Sequence, residues 1–118
     1  MEEMRSRYRM NKISRIVAGG PTGQMSIYNG LLAAEEEYGT DGTIVLIHDG
    51  VRPFPSVEVI SRCYETARTE GAVVPVVAVV ETLRHIGPIG PGASSVTVPR
   101  DEYRLVQTPQ CFDIQLLK

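Results

Sequence analysis

The sequence predicts an α/β fold built on a mainly parallel sheet. Two continuously apolar runs, residues 44–47 and 72–80, have the pattern of strands that are buried on both faces. Segments with helical spacing of apolar residues alternate with them, so the order reads strand, helix, strand, helix, strand. This order is typical of crossover connections between parallel strands of one sheet.

Length and composition indicate a single globular domain over residues 1–118. The net charge of −2 gives no electrostatic footprint for nucleic acid. No apolar run reaches the ~18 residues of a membrane span, and the polar N-terminus is not a secretory signal, so no membrane partner is expected. Cys63 and Cys111 lack metal-binding spacing, which favours a reduced, cytoplasmic setting. Cys63 is expected in the core, and Cys111 is not expected to be a nucleophile because no histidine is near in sequence.

The first part of the chain predicts a short strand, a glycine loop and a helix. The strand is expected within residues 13–17, and the loop at 18–23 holds three glycines and a proline. Gly39 is placed to end the helix that follows. Glycines before a helix N-terminus let backbone N–H groups approach a phosphate or a base, although such turns are common. At this position Ser26 is more often a cap than a ligand contact.

A second helix is expected between the two apolar runs. Ser56 is a suitable N-cap for it, and Gly71 is placed to end it. The following run at 72–80 is rich in valine, which favours a strand, but Pro75 within it indicates an edge or a bulge.

Residues 81–100 are expected to form an arm. Its flanks, 81–86 and 95–99, have the pattern of a β-hairpin, and the tip between them is rich in Gly, Pro and Ser. An arm with so little apolar content does not fold alone, and a second copy of the chain is the simplest surface for it to pack on. After the arm the chain returns to the domain, where Asp113 is placed to cap a short C-terminal helix.

Chemically useful side chains follow the apolar run at residues 44–47. His48, Asp49, Gly50 and Arg52 lie where the strand ends, and ligands of open α/β sheets bind at the carboxyl ends of strands. A carboxylate, a permissive glycine and a guanidinium are suited to a metal and a phosphate. The alternative is a solvated turn with incidental charges, which Asp49 merely caps. His48 is expected to orient the loop.

Five motifs in this order resemble those of the 2-C-methyl-D-erythritol 4-phosphate cytidylyltransferases, the IspD-type enzymes of non-mevalonate isoprenoid synthesis. The ribitol-5-phosphate cytidylyltransferases have similar motifs. The resemblance covers residues 13–118 and is carried by Gly19-Gly20, Ser26-Ile-Tyr-Asn-Gly30, His48-Asp-Gly-Val-Arg-Pro53, Arg100 and Gln107-Thr-Pro-Gln110.

The resemblance implies a Rossmann-like, three-layer domain of the nucleotide-diphospho-sugar transferase type and a homodimer joined by exchanged arms. It also implies transfer of CMP from CTP to 2-C-methyl-D-erythritol 4-phosphate, with Mg²⁺ as cofactor and release of pyrophosphate. Because methylerythritol phosphate and ribitol phosphate both present a phosphate and hydroxyls, the sequence leaves the choice of acceptor open.

On the nucleotide side, the resemblance assigns four residues. Gly20 and Ser26 match positions that contact the cytosine and its pocket. Gly50 matches the small residue whose backbone lines the nucleotide site. Asp49 matches the carboxylate that binds Mg²⁺ near the CTP phosphate and the acceptor.

On the acceptor side, the resemblance implies that Arg52, Thr82, Arg100 and Thr108 hold the phosphate and hydroxyls. Arg52 and Asp49 are the implied catalytic residues. Arginine is suited to this task because its planar fork binds two phosphate oxygens at once and offsets the charge of two approaching anions. Thr82 and Arg100 belong to the arm, which in the family reaches into the partner's site.

The chain also departs from the family pattern. The family begins with a strand and a glycine-rich loop that wraps the CTP triphosphate, and nothing like it precedes Ile13. Pro21 and Gly23 stand where the family has an acidic residue and an arginine, and the family's C-terminal segment is missing after Lys118. We therefore expect an N-terminally truncated domain, either a fragment or a degenerate paralogue, with little or no activity as an isolated chain. A non-catalytic sugar-phosphate- or nucleotide-binding remnant and a dimerising structural remnant are the alternatives.

Overall fold

The computed structural model describes residues 1–88 and 90–117 and confirms an α/β fold. The helices are α1 (Glu2–Arg7), α2 (Gly23–Tyr38) and α3 (Val57–Glu70). The strands are β1 (Ile44–Ile47), β2 (Ala72–Val73), β3 (Val76–Ala78), β4 (Leu83–Ile86), β5 (Ser95–Val98), β6 (Arg104–Val106) and β7 (Gln110–Asp113). Short 3₁₀ turns cover Arg100–Glu102 and Ile114–Leu117.

The two long helices begin and end at polar and glycine residues. Ser56 caps α3 as predicted, since its side chain accepts a hydrogen bond from the backbone N–H of Val59. Gly71 then ends α3 in the left-handed conformation, with φ of 81°. At α2, Gly39 is the C-cap as predicted, but the N-cap is Thr22 rather than Ser26. Ser26 lies inside the first turn, where its hydroxyl accepts a hydrogen bond from the N–H of Gly20 instead.

The central sheet has the order β1-β7-β2. β7 is antiparallel to both neighbours, with Ile47 opposite Gln110 on one side and Val73 opposite Cys111 on the other. β1 and β2 therefore run in the same direction, as the α3 connection predicts, but they are not adjacent. Every hydrogen-bonded strand pair among the described residues is antiparallel, so the expectation of mainly parallel pairing needs correction. The reason is that the last strand of the chain returns between the two that α3 connects.

Two local predictions about strands are changed by their surroundings. Residues 13–17 form no strand, because nothing in the described chain pairs with them and a strand needs a ladder of hydrogen bonds. The run at 72–80 is split at Pro75, which cannot donate to a ladder. Its first part is β2 of the central sheet, and its second part, β3, pairs with β6 in a separate two-stranded sheet.

The core of the domain is small. Cys63 and Ala67 of α3 pack against Cys111 of β7, with partly buried side chains around them. The solvent-accessible area is 9305 Å², whereas a compact protein of this mass has about 6,300 Å². The radius of gyration is 18.5 Å, against about 13–14 Å for a compact domain of this length. Much apolar surface of the chain is thus left uncovered.

The arm forms the predicted hairpin. β4 and β5 pair from Leu83 opposite Val98 to Ile86 opposite Ser95. None of the residues described between 81 and 100 is buried. The predicted loose tip includes Ile89, which lies outside the described residues.

The C-terminal end of the described chain is a 3₁₀ turn rather than an α-helix. Asp113 caps it as predicted, since its carboxylate accepts a hydrogen bond of 2.9 Å from the N–H of Gln115. Lys118, the last residue of the predicted helix, is outside the described part. Within that part, no helix has the length and apolar character needed to cross a membrane.

Candidate functional site

The candidate site is formed where β1 ends and β7 begins. Because these strands are antiparallel neighbours with Ile47 opposite Gln110, the segment after β1 meets the segment before β7 at one edge of the sheet. The two halves of the site are therefore far apart in sequence and adjacent in space.

The turn that follows β1 joins three of the predicted site residues. The Nε of Arg52 lies 3.3 Å from the Oδ2 of Asp49, and both side chains are about half exposed. The backbone N–H of Asp49 donates a hydrogen bond of 3.4 Å to the Oγ1 of Thr108. A guanidinium, a carboxylate and a hydroxyl thus share one small surface.

His48 contacts the same turn through its ring. Its Nε2 lies 2.7 Å from the backbone carbonyl oxygen of Arg52, and since a carbonyl only accepts, Nε2 carries the hydrogen. The other ring nitrogen, Nδ1, is buried and has no hydrogen-bond partner among the described residues. The contact closes a loop of five residues around Asp49.

Gln107 is the residue of this site that sequence reasoning missed. Its Oε1 accepts a hydrogen bond of 2.7 Å from the Nη1 of Arg52. Its own backbone N–H donates to the carbonyl oxygen of Pro75 at 2.9 Å. The sequence signal for it is its position as the first residue of the Gln-Thr-Pro-Gln segment, directly before the predicted site residue Thr108.

Open space adjoins this cluster. A side chain added at Gly50 would meet no atom within 4 Å. A cleft of about 380 Å³ adjoins the turn and is lined by His48, Arg52, Pro53, Phe54, Pro55, Gln107 and Thr108. Phe54 is 94% exposed, so its ring forms an uncovered wall of this cleft.

The predicted nucleotide-side residues Gly20 and Ser26 are brought together by a direct hydrogen bond. The N–H of Gly20 donates to the Oγ of Ser26 at 2.9 Å, and that hydroxyl donates to the carbonyl of Thr22. A side chain at Gly20 would place its Cβ 2.4 Å from the Cβ of Met25, so the loop approaches α2 closely enough to require glycine here. In the described chain no hydrogen bond or ion pair connects this loop to the Asp49 turn.

Thr82 and Arg100 lie at the base of the arm, away from the turn. Thr82 directly precedes β4, and Arg100 follows β5 by two positions. The guanidinium of Arg100 donates to the carbonyl of Val80, which ties the two ends of the hairpin together. No hydrogen bond or ion pair among residues 1–88 and 90–117 joins either residue to Asp49 or Arg52.

The donor set near Asp49 limits what metal could bind. Within the described residues no group of three or more His, Cys, Asp and Glu side chains is close enough to hold an ion. Magnesium is commonly bound through one or two carboxylates, with phosphates and waters as its other ligands. The single, half-exposed carboxylate of Asp49 fits such an ion and does not fit an all-protein metal cage.

The thiol of Cys111 is expected to have low reactivity. Burial, and secondarily the neighbouring Cys63, raises the pKa of the Cys111 thiol to about 11. The reactive thiolate is therefore scarce at neutral pH, which agrees with the expectation that Cys111 is not a nucleophile.

A sequence profile of the family described as IspD, 2-C-methyl-D-erythritol 4-phosphate cytidylyltransferase, matches residues 2–118. The match begins ahead of Ile13, where the motif resemblance starts.

Two curated relatives carry the same description. The protein from Phocaeicola vulgatus is 52% identical over 103 residues, which are 87% of this chain and 43% of the relative. The protein from Bacteroides thetaiotaomicron is 50% identical over 107 residues, covering 90% of this chain and 45% of the relative. The chain thus spans less than half the length of these relatives.

Of two solved structures that resemble this fold, one carries the same description and the other describes a synthase of the corresponding cytidyl product. The 2-C-methyl-D-erythritol 4-phosphate cytidylyltransferase of Thermus thermophilus superposes with a TM-score of 0.70 at 42% identity, covering 86% of this chain and 45% of that one. The 4-diphosphocytidyl-2C-methyl-D-erythritol synthase of Anaerococcus prevotii gives a TM-score of 0.74 at 30% identity, covering 98% and 52%.

Proposed function

Because the chain belongs to the 2-C-methyl-D-erythritol 4-phosphate cytidylyltransferase family, we propose that it contains the metal-binding and acceptor-binding part of such an enzyme. The observation that carries the proposal is the convergence of Asp49, Arg52 and Thr108 beside an open cleft. In this reading the whole protein of which these residues are part works in isoprenoid synthesis in the cytoplasm.

The proposed reaction joins two anions. An oxygen of the acceptor phosphate attacks the α-phosphorus of CTP, a new P–O bond forms, and the bond to the pyrophosphate leaving group breaks. Arg52 offsets the charge of the acceptor phosphate, and the Thr108 hydroxyl, already at the Asp49 N–H, supports the turn and contacts the acceptor. No side chain has to form a covalent bond, because positioning and electrostatic stabilisation suffice for phosphoryl-group chemistry.

Asp49 is the residue that would hold Mg²⁺. When bound, the ion would offset the negative charge of the CTP phosphates. The carboxylate contacts the Nε of Arg52 at 3.3 Å and is about half exposed, so one of its sides is open to an ion.

Gly20, Ser26 and Gly50 form the proposed nucleotide side. The hydrogen bond between Gly20 and Ser26 holds the glycine loop against α2 and so sets the edge of a cytosine pocket. The open space at Gly50 lets a nucleotide approach the backbone closely.

The arm is proposed to act in a homodimer. Thr82 and Arg100 lie at its base and have no hydrogen bond or ion pair with the Asp49 turn within the described part of their own chain, so each would serve the site of a second copy. The exposed hairpin, which has no buried side chain among its described residues, is the segment that a partner would cover.

Ribitol 5-phosphate is the second candidate acceptor. A ribitol-5-phosphate cytidylyltransferase from Streptococcus agalactiae is 38% identical over 112 residues. The Phocaeicola and Bacteroides relatives described as methylerythritol enzymes are 52% and 50% identical, which favours methylerythritol phosphate.

Calorimetry on the chain tests the proposal. We expect 2-C-methyl-D-erythritol 4-phosphate to bind, and Arg52→Ala to weaken binding about 10- to 100-fold, the usual effect of losing a charged hydrogen bond. Arg84→Ala is the matched control, since Arg84 is bonded to Ser95 and Thr97 within the hairpin. Absence of binding to the wild-type chain would refute the proposal, and tighter binding of ribitol 5-phosphate would favour the alternative acceptor. A parallel titration with CTP and Mg²⁺ tests the nucleotide side.

A further inference from the structure

We propose that Gln107 is a positioning residue that aims the guanidinium of Arg52 at the acceptor phosphate, an inference that rests on the proposed function. No role was assigned to Gln107 from the motifs. Its side-chain oxygen is nevertheless 2.7 Å from Nη1 of Arg52, the shortest of the contacts that the Arg52 side chain makes among the described residues.

Two contacts define the plane of the guanidinium. Nε is held by Asp49 at 3.3 Å and Nη1 by Gln107 at 2.7 Å. A planar group with one nitrogen in a hydrogen bond and a second in an ion pair is restricted in its rotation about the last side-chain bond. The hydrogen bond to Gln107 uses one of the five N–H groups, so others are left for a bidentate contact with a phosphate.

Gln107 can serve as a fixed point because it is itself held. Its backbone N–H donates to the Pro75 carbonyl at 2.9 Å, and the hydroxyl of the next residue, Thr108, accepts from Asp49. Its side chain is also neutral. An amide oxygen orients the guanidinium without cancelling its charge, whereas a carboxylate at this position would form an ion pair and compete with the phosphate.

The backbone end of Arg52 is held separately by His48. The ring N–H of His48 donates to the Arg52 carbonyl at 2.7 Å. Arg52 is thus held at its carbonyl by His48 and at its guanidinium by Asp49 and Gln107. This pre-organisation lowers the entropy lost when the phosphate binds.

Three single variants test the inference. Gln107→Ala removes the contact with Arg52, and Gln107→Glu keeps it but adds a negative charge. Gln110→Ala is a control in the same segment, because the side-chain amide of Gln110 makes no hydrogen bond in the described structure. The first readout is NMR of the Arg52 side-chain N–H groups without ligand, with the signal assigned by its loss in Arg52→Lys. The second is calorimetry with 2-C-methyl-D-erythritol 4-phosphate.

We expect slow guanidinium rotation in the wild type, in Gln107→Glu and in Gln110→Ala, and fast rotation in Gln107→Ala. The dissociation constant should rise about tenfold in Gln107→Ala and at least as much in Gln107→Glu. A purely structural role predicts instead that Gln107→Glu binds like the wild type, because the contact is retained. That result, or unchanged rotation in Gln107→Ala, would overturn the inference. If the wild type binds no phosphate ester, the proposed function fails, and the rotation data still decide whether Gln107 holds Arg52.

Discussion

The region around β7 and the arm differ in how much of their surface is buried by other parts of the same chain. β7 lies between β1 and β2, is covered by α3, and contains Cys111, which is fully buried. The arm has two strands, one hydrogen-bonded ladder and no buried side chain among its described residues. Both regions carry predicted site residues, yet only those near β7 meet one another.

This difference shows which of the predicted site residues one chain can bring together without a partner. At the sheet edge, the pairing of β1 with β7 brings Asp49, Arg52, Gln107 and Thr108 together without help from outside the chain. On the arm, Arg100 is hydrogen-bonded to the Val80 carbonyl at the base of its own hairpin. A residue on an element without its own core can complete a site only where something else packs against that element.

The largest expected effect that separates the two regions is on stability. Ile114, which directly follows β7, is 1% exposed, and Ile114→Ala should lower the free energy of unfolding by about 2–5 kcal/mol, the usual result of emptying a core position. Ile86 on the arm is 65% exposed, so Ile86→Ala should change it by no more than about 0.5 kcal/mol. Urea denaturation of both variants measures this, and similar losses would contradict the contrast.

A second expected effect, specific to the region around β7, is a loss of folding stability at alkaline pH. Burial raises the pKa of Cys111 to about 11 from its ordinary value of 9.0, so the folded state favours the protonated thiol. The associated stability is fully present below pH ~9 and is lost as the pH rises towards ~11, with a total of about 2–3 kcal/mol.

Unfolding curves between pH 8 and about 11 measure this loss against Cys111→Ala. The variant is expected to be less stable than the wild type at pH ~8, where the thiol is protonated, and its stability should fall less steeply as the pH rises. Tyrosines also titrate in this range and are present in both proteins, so the difference in slope isolates the thiol. Parallel curves would show that Cys111 is not protected from ionisation by its burial.

The smallest expected effect concerns Arg100 in the monomer. Because no hydrogen bond or ion pair in the described chain joins Arg100 to the Asp49 turn, Arg100→Ala should leave the binding of methylerythritol phosphate unchanged at concentrations where the chain is monomeric. At concentrations where a dimer forms, the same substitution should weaken binding about tenfold. Sedimentation sets the two concentrations and calorimetry measures the affinities; equal weakening at both would mean that the arm serves its own site.

Much of the local structure could be predicted from the sequence. Gly39 and Gly71 end their helices and Ser56 caps α3, because capping depends on residues within one turn of the helix end. The hairpin of the arm was predicted for the same reason, since its pairing needs only residues on either side of one loop. The exception is the N-cap of α2, where Thr22 rather than Ser26 accepts the bond and Ser26 turns back to Gly20.

The site was predicted in part. Asp49, Arg52 and Thr108 were named, and the structure brings them together. Gln107 was missed because its contact with Arg52 joins residues 55 positions apart, which no local pattern encodes. His48 was expected to orient the loop, and only the folded turn identifies the Arg52 carbonyl as its partner.

The sequence by itself thus determined the α/β class, the ends of the long helices, the position of β1 and the hairpin, since each depends on neighbours along the chain. The tertiary structure alone decided that β7 separates β1 from β2 and that Pro75 divides one apolar run between two sheets. It also decided that residues 13–17 pair with no strand of the described chain. Strand pairing joins distant segments, and a sequence pattern specifies that a strand has a buried face without specifying which strand lies beside it.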